Sequence, residues 1–562
     1  MKFAFHPKIL DCLADYDRTQ FGKDVASGVT VGVLALPLAM AFAIASGAPV
    51  AAGIWTGIIA GFLISLFGGS RVQIGGPTGA FIPIVYGIVA AHDLDGLLIA
   101  TMLAGVFLLL MGIFRMGQLI RFIPVSVVIG FTTGIAVVIF MSQIKDFLGL
   151  SIDKLPPGFF AQIDTLAHSL RLVDWPTLAV SVAAFLFLLF YNRMAQTRAL
   201  GFLRRAPGPL AVLVVGTALT ALLDVPVKTI GVIPQEIPAF ALPKLSLDTL
   251  SQLISPAIAI ALLGAIESLL SARVADASIE DTHDPNQELI AQGLANLAAP
   301  LFGGFAATGA IARTATNIRS GGRTPIAGMV HALVLLAIVL ILAPFARHIP
   351  LAILSAIVVV VSLNMFDLHA FKRLRHFSNN YRIIMLSTFV MTVVFGLTVA
   401  IELGMVLSCL LFIYHISDLT RIESVPLART SETRYTASGK PRIAAWRIYG
   451  SLFFGAANKL EPLLEVSSGE PEILILDAQT LIQLDSTGLD ALENLHGKLA
   501  RSNAALLLSG LHGQPAAMLK KTGFLERLGA ENLFPNIIAA LRAAEKRLEE
   551  TANAPETVQQ NT

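Results

Sequence analysis

The stretch 303-GGFAATGAIARTATNIRSGG-322 interrupts an otherwise regular succession of apolar runs, and 72-VQIGGPTGAFIPIVYG-87 interrupts it in the same way. Non-helical backbone at membrane depth is tolerated only where protein or a water-filled cavity satisfies its polar groups, so each break says more than Gly or Pro in a soluble loop. A short segment follows each break. On either side lie runs long enough to cross a bilayer as helices, such as 97-LLIATMLAGVFLLLMGIF-114 and 332-ALVLLAIVLILAPF-345.

Composition agrees. Of 562 residues, 55% are hydrophobic and 14% charged, with a mean hydropathy of +0.73, whereas a soluble domain is about 25% charged. Alternating ten-residue strands are absent, so the spans are helices rather than barrel strands. Apolar runs between turn and charge clusters give about fourteen segments, near 25–45, 50–67, 78–91, 95–113, 124–147, 174–195, 208–224, 252–274, 287–302, 310–319, 324–344, 349–366, 379–396 and 398–418.

Lys and Arg concentrate in short cytoplasmic connections. With a cytoplasmic N-terminus, Arg71, Arg115 with Arg121, Arg193 to Arg205, Arg319 with Arg323, and Lys372 to Arg382 all fall on that side, and Arg347 is the main exception. The first twenty residues carry acids and no small-residue cleavage site, so they are not a signal peptide. An even count of spans returns the C-terminal region to the cytoplasm, and the expected location is the inner membrane of a bacterial cell.

After about Thr420 the composition turns soluble. The runs 441-PRIAAWRIYGSLFFGA-456, 472-EILILDA-478 and 504-AALLLSGL-511 read as strands, and 486-STGLDALENLHGKLARS-502 and 514-QPAAMLKKTGFLERLG-529 as amphipathic helices, which makes a small α/β domain. The expected organisation is a cytoplasmic segment 1–24, a transmembrane transport domain 25–420, a linker 421–439, the α/β domain 440–547 and a disordered tail 548–562.

Several classes drop out. A net charge of +2 and a pI near 8.5 give no basic footprint for nucleic acid. Cys12 and Cys409 form neither a disulfide framework nor a ligand spacing, and Cys409, inside an apolar run, reads as a small core residue. There is no Walker loop, dinucleotide fingerprint or HExxH, which argues against a nucleotide-driven pump, and the expectation is a non-enzyme without cofactor or metal.

The two breaks precede the third and tenth segments, the same position in two successive sets of seven, and an odd set inserts the second upside down relative to the first. Short, Gly/Pro-interrupted segments at matching positions of inverted halves point to a midplane substrate site in a secondary transporter. Two half-helices whose N-termini face each other aim free N–H groups and positive dipole ends at one spot, which favours an anion. Thr78 and Thr308 offer hydroxyl donors. Glycines alone would also serve close helix packing, but two matched breaks favour a site.

Ionisable groups inside the spans are few, and each is a functional candidate. Glu267, in 258-IAIALLGAIESLLSARVADA-277, sits mid-helix, where desolvation disfavours a charged carboxyl. It can couple a proton to anion movement, or ligate sodium together with Ser271 one turn later; alternatively it is held structurally by Arg313. Arg313 either neutralises the substrate or only holds Glu267. Glu402, near a helix start, reads as structural. In 484-LDSTGLD-490, Asp485, Ser486 and Thr487 lie at a strand-to-helix turn as ordinary N-cap residues, with a phosphoryl acceptor or regulatory contact at Asp485 or Ser486 as the sharper alternative.

The runs 32-GVLALPLAMAFAIASG-47, 75-GGPTGAF-81, 264-GAIESLL-270 and 303-GGFAATGAIARTATNIRSGGRTPIAG-328, with 485-DSTG-488 in the terminal domain, resemble the sulfate permease (SulP) family, which includes bacterial anion transporters and the animal group of pendrin and prestin. The C-terminal part is similar to a STAS domain, which shares its fold with anti-sigma-factor antagonists. The resemblance implies an α-helical membrane fold of about fourteen spans in two inverted repeats of seven, arranged as core and gate domains and usually paired as a homodimer. Carried to matching positions, the substrate pocket comprises Phe42, Thr78, Gly79, Gly309, Ala310, Ile311 and Arg313. Glu267 matches the acidic ion-coupling position and Ser271 a sodium-ligand threonine; Glu in place of Asp favours protons. Around Glu267 and Arg313 the sequence is similar to a bacterial C4-dicarboxylate transporter, which implies proton-coupled uptake of succinate, fumarate or aspartate by alternating access. A sulfate or bicarbonate symporter, an anion channel or exchanger, and a STAS-centred sensor binding a cytoplasmic regulator are the alternatives.

Overall fold

In the computed structural model the described residues are 5–552, apart from 15, 119–123, 153–154, 157, 195–207, 232–237, 244–246, 427–440, 461–462 and 464–470. They form two compact units, Met1–Leu407 and Ser408–Thr562.

The membrane unit opens with α1 (Lys8–Leu13) and α2 (Arg18–Ala45). Asp17 caps α2 by accepting from the Gln20 backbone N–H at 2.6 Å, so the helix starts seven residues before the apolar run that marked it at Val25. Within the expected cytoplasmic segment 1–24, residues 8–13 and 18–24 are thus helical. Next come α3 (Val50–Phe67), the two-residue strand β1 (Gly75–Gly76), and α4 (Ile82–Ile113), entered through a 3-10 turn at Gly79–Phe81. Asp93 breaks α4 with φ 56° and ψ −167°. This left-handed residue separates the two segments expected at 78–91 and 95–113.

There follow α5 (Val125–Phe147), α6 (Phe159–Ser169), α7 (Trp175–Met194), α8 (Gly208–Leu222) and α9 (Leu247–Ile279). Then come α10 (Pro285–Ala298), β2 (Thr308–Gly309), α11 (Ile311–Arg319), α12 (Ile326–Ala346) and α13 (Leu351–Met365). The series closes with α14 (Leu368–Arg373), α15 (Asn379–Phe395) and α16 (Leu397–Leu419). Every expected apolar segment coincides with one of these helices or with part of one. Among the described residues, six helices are long and apolar enough to span a bilayer by themselves, or up to seven if the bent pair α6 and α7 is one span. The second break is followed by the short α11 and the first by the part of α4 that ends at Asp93.

Packing sorts the helices into two bundles. In one, α4 packs on α9 and α10, α12 on α2 and α3, and α11 on α9 and α2; in the other, α5 packs on α13 and α15, and α13 on α7. Small residues allow the close approaches, as membranes demand where no hydrophobic force separates helix from lipid. A methyl group on Gly105 of α4 would lie 2.8 Å from the backbone nitrogen of Leu297, so α4 and α10 touch through backbone.

In the second unit, β3 (Arg421–Ser424), β4 (Ile443–Leu452), β5 (Ile473–Asp477), β7 (Ala505–Ser509) and β8 (Leu533–Phe534) form a sheet in that order, and β6 (Leu481–Leu484) pairs with β4. β3 is antiparallel to β4 and the rest are parallel. Alternate residues of β5 serve opposite faces. Leu474 and Leu476 meet Leu489, Leu492, Leu495 and Leu499 of α17 (Ser486–Arg501) and the helices α18 (Gly513–Lys521) and α19 (Phe524–Leu528). Ile473 and Ile475 meet Ala540, Ala544 and Leu548 of α20 (Ile537–Ala552).

Three expectations change here. The linker expected at 421–439 begins instead as strand β3; the tail expected from 548 begins as the last turn of α20; residues 427–440 and those from 553 lie outside the described set. Cys409 is exposed rather than a core residue, since a small apolar side chain on a membrane helix can face lipid freely. The side chain of Glu402 lies outside the described residues.

Candidate functional site

The two breaks meet. β1 and β2 pair antiparallel, Gly75 opposite Gly309 and Gly76 opposite Thr308. The crossing extends at both ends: the Ala310 N–H donates to the Ile74 carbonyl at 2.8 Å, and the Ile74 N–H to Oγ1 of Thr314 at 3.1 Å. Glycine is needed for the close approach. A methyl group on Gly75 would lie 2.3 Å from Cδ1 of Ile64, and Gly76 has φ +146°. Immediately after the crossing the chain starts α4 on one side and α11 on the other. Neither the Gly79–Phe81 turn nor α11 has a side-chain cap, so first-turn N–H groups at both starts remain as donors.

Around this crossing stand most of the residues singled out from sequence. Phe42 of α2 is buried, and a methyl group on Gly79 would touch its ring at 3.5 Å. Ala310 is buried, whereas Ile311 is 42% exposed and opens the first turn of α11 to one side. Thr78 donates from Oγ1 to Oε2 of Glu267 at 3.0 Å, and both are half-buried. Beside the start of α4 a cavity of about 320 Å³ is lined by Ile82, Pro83 and Tyr86, with Ser142 of α5 and Thr392 of α15 opposite. Tyr86 also donates to the Leu155 carbonyl at 2.9 Å.

Three side chains make contacts that the sequence reading did not assign. Arg313 does not hold Glu267. It is 1% exposed and donates from Nη2 to the Pro77 carbonyl at 3.0 Å, so the guanidinium backs β1. Thr308 is fully buried and donates to the Gly264 carbonyl at 2.7 Å, which removes its hydroxyl from any ligand. Ser271 is buried with its hydroxyl 3.4 Å from Oγ1 of Thr314, a link between α9 and α11. In the STAS-like unit Asp485 is the N-cap of α17: Oδ1 accepts from the Gly488 N–H at 2.8 Å and Oδ2 from the Phe454 N–H at 3.0 Å. Ser486 follows it, exposed, in the first turn.

One group escaped the sequence reading. Glu288 of α10 is fully buried. Its Oε2 accepts from the backbone N–H groups of Gly69 at 2.9 Å and Ser70 at 3.2 Å. Its Oε1 accepts from Gln73 at 2.7 Å, Gln292 at 2.9 Å and Ser268 at 3.2 Å. Gln73 in turn lies behind β2, because a methyl group on Gly309 would sit 2.1 Å from its Nε2. The signal was present as the polar residues Glu288, Gln292 and Asn296, four apart on one face of a membrane helix. Among the described residues no group of three His, Cys, Asp or Glu converges as a metal site.

Comparison with known proteins fits this geometry. Residues 21–419 match the model of the sulfate permease family, and residues 434–540 that of the STAS domain. A Bacillus subtilis protein named "Putative sulfate transporter YvdB" is 40% identical over 529 residues, covering 92% of this chain and 97% of its own length. The bicarbonate transporter BicA of a Picosynechococcus strain is 30% identical over 542 residues, covering 93% and 94%. The solved structure of SLC26A9 superposes with a TM-score of 0.84 over 97% of this chain and 93% of that one at 19% identity, a likeness of fold.

Proposed function

Because the chain belongs to the sulfate permease family, we propose that it is a secondary transporter that carries sulfate, or in second place bicarbonate, by alternating access of the α4-containing bundle against the α5-containing bundle, with a proton bound at Glu267. The observation that carries this reading is the β1–β2 crossing, which sets two uncapped helix starts beside the Thr78–Glu267 hydrogen bond. Helix starts offer N–H donors and a positive dipole end to an anion without a mobile countercharge. The proposed cradle comprises Thr78, Gly79, Gly309, Ala310 and Ile311, with Phe42 as its apolar wall and Arg313 supplying positive charge from behind.

The relatives are named as transporters of sulfate and bicarbonate. The dicarboxylate inferred from local resemblance finds no support among them, and sulfate takes its place. Protons are preferred to sodium because the acidic position carries Glu267 rather than Asp, which weakens a sodium site. Uptake of labelled sulfate, bicarbonate and succinate into proteoliposomes, with an inward gradient of protons or of sodium, tests all of this. Proton-driven sulfate or bicarbonate uptake is expected; absence of uptake of all three sinks the transporter reading.

A further inference from the structure

His331 of α12 is fully buried and neither ring nitrogen has a hydrogen-bond partner. Arg313 is in the same condition at one end: Nη2 is bonded to Pro77, and Nη1 is buried without a partner. The two face the same short strand. A methyl group on Gly76 would lie 2.2 Å from Nη1 of Arg313; one on Gly61 would lie 3.1 Å from the Gly75 carbonyl and 3.2 Å from Cε1 of His331. The guanidinium is also near enough to act electrostatically on the ring.

Other partners are few. α3, which packs on α12, contains no ionisable residue, and the ionisable residues of α2 are Arg18, Lys23 and Asp24 in its first two turns. Asp24 is committed to the Arg323 N–H at 2.8 Å and the Thr324 hydroxyl at 2.6 Å. The Gly328 carbonyl, three residues back, is close to the ring but makes no hydrogen bond of normal geometry with it. A neutral imidazole has one donor and one acceptor. If its N–H leans toward Gly328, the acceptor nitrogen is left for a cation. A buried guanidinium whose N–H lacks an acceptor is costly, and one hydrogen bond to it through an enclosed water with several polar partners removes that cost.

We propose that His331 is a positioning residue for transport: its imidazole accepts from an enclosed water that in turn accepts from Nη1 of Arg313, and so holds the guanidinium behind β1, where its charge acts on an anion at the starts of α4 and α11. The consequence for transport rests on the function proposed above; the contact itself does not. The experiment is a double-mutant cycle on the full-length protein, with wild type, His331→Phe, His331→Gln, Arg313→Lys and His331→Phe/Arg313→Lys, read as KM and maximal rate for labelled sulfate and bicarbonate in proteoliposomes. His331→Phe keeps a ring and removes both nitrogens, and should raise KM about tenfold, the loss of one charge-assisted hydrogen bond, with little change in maximal rate. His331→Gln, which retains an acceptor, should stay within about twofold of wild type, and in the Arg313→Lys background His331→Phe should add less than about twofold, because interacting residues are non-additive.

An equal effect of His331→Phe in both backgrounds, an unchanged KM, or failure of His331→Gln to rescue would overturn the proposal. Should His331→Phe not fold, His331→Leu takes its place in the cycle. If the wild type carries neither anion, the transporter reading falls separately. Thermal unfolding midpoints of the same proteins in detergent then decide the pairing, with additive shifts overturning it.

Discussion

Thr78, the residue before the turn that begins α4, donates from Oγ1 to Oε2 of Glu267, in the middle of α9, at 3.0 Å. The hydrogen bond joins the groove where an anion would be held to an acidic group beside it. An ionised carboxylate can only accept, whereas a protonated one can also donate. A proton arriving at Glu267 therefore changes what the Thr78 hydroxyl must do, and the hydroxyl becomes free to turn toward an anion.

Glu267→Gln keeps the size and the acceptor and removes the titration. Uptake in this variant should lose its dependence on the proton gradient while retaining exchange of anion for anion. Uptake measured across external pH 5.5 to 8 checks this; a pH profile identical to wild type would remove Glu267 from the coupling.

Thr78→Val keeps the shape of Thr78 without its donor. The expected result is a KM for sulfate raised by about tenfold, the order of one hydrogen bond to a charged group. Thr78→Ser, with the hydroxyl restored, should recover most of the loss. Equal KM values for the Val and Ser variants would show that the hydroxyl does not reach the anion.

The pairing of the two breaks was legible because membrane depth makes Gly/Pro-rich backbone rare, so 75-GGPT-78 and 308-TGA-310 stood out against apolar helix. The direction of individual side chains was not legible. Arg313 lies three residues into α11, and spacing alone cannot say whether its long side chain reaches forward to Glu267 or, as found, back to the Pro77 carbonyl. Thr308 looked like a ligand donor but is consumed by the Gly264 carbonyl. The start of α2 was misplaced for a related reason: charge at Arg18, Lys23 and Asp24 masked a helix whose cap, Asp17, is polar by necessity.

Gly309→Ala should abolish uptake at near-wild-type expression. Its added methyl would lie 2.1 Å from Nε2 of Gln73, itself held by Glu288 and Ser268 at 2.7 Å each, so the strand rather than the amide must move. Gly57→Ala offers a control, because its methyl meets the terminal Cδ1 of Leu335 at 3.1 Å, a side chain able to turn away. Uptake rates of the two variants, each normalised to protein in the membrane, give the answer.

Asp485→Ala should destabilise the C-terminal unit by about 1 kcal/mol or more, since it loses an N-cap and also the acceptor for the Phe454 N–H. Ser486→Ala should be silent for stability, its side chain being exposed. Limited proteolysis of the full-length protein, following cleavage after residue 420, separates the two variants. Equal protease sensitivity would mean that Asp485 does not cap α17 in solution.

Glu288 supports the most severe prediction. Its carboxylate is the common acceptor for five donors from three parts of the chain: the 69–73 loop before β1, α9 through Ser268, and α10 through Gln292. Buried donors left without an acceptor cost about 1 to 3 kcal/mol each when the structure cannot relax. Breaking a buried charged network by removing one partner costs about 3 to 5 kcal/mol. Glu288→Ala should therefore lower the thermal midpoint of the detergent-solubilised protein by several degrees. Glu288→Gln should fare little better, because whichever way its amide is turned, an NH₂ faces either the Gly69 and Ser70 N–H groups or the Gln73 and Gln292 amides. Glu267→Gln, which disturbs a single hydrogen bond, should unfold near the wild-type temperature. The contrast separates the two acids by physics rather than by position: one is proposed to bind the coupled proton beside the anion groove, and the other holds the loop that shapes it. A Glu288→Gln protein as stable as wild type would mean that the carboxylate is already protonated, and would move the proton site from α9 to α10.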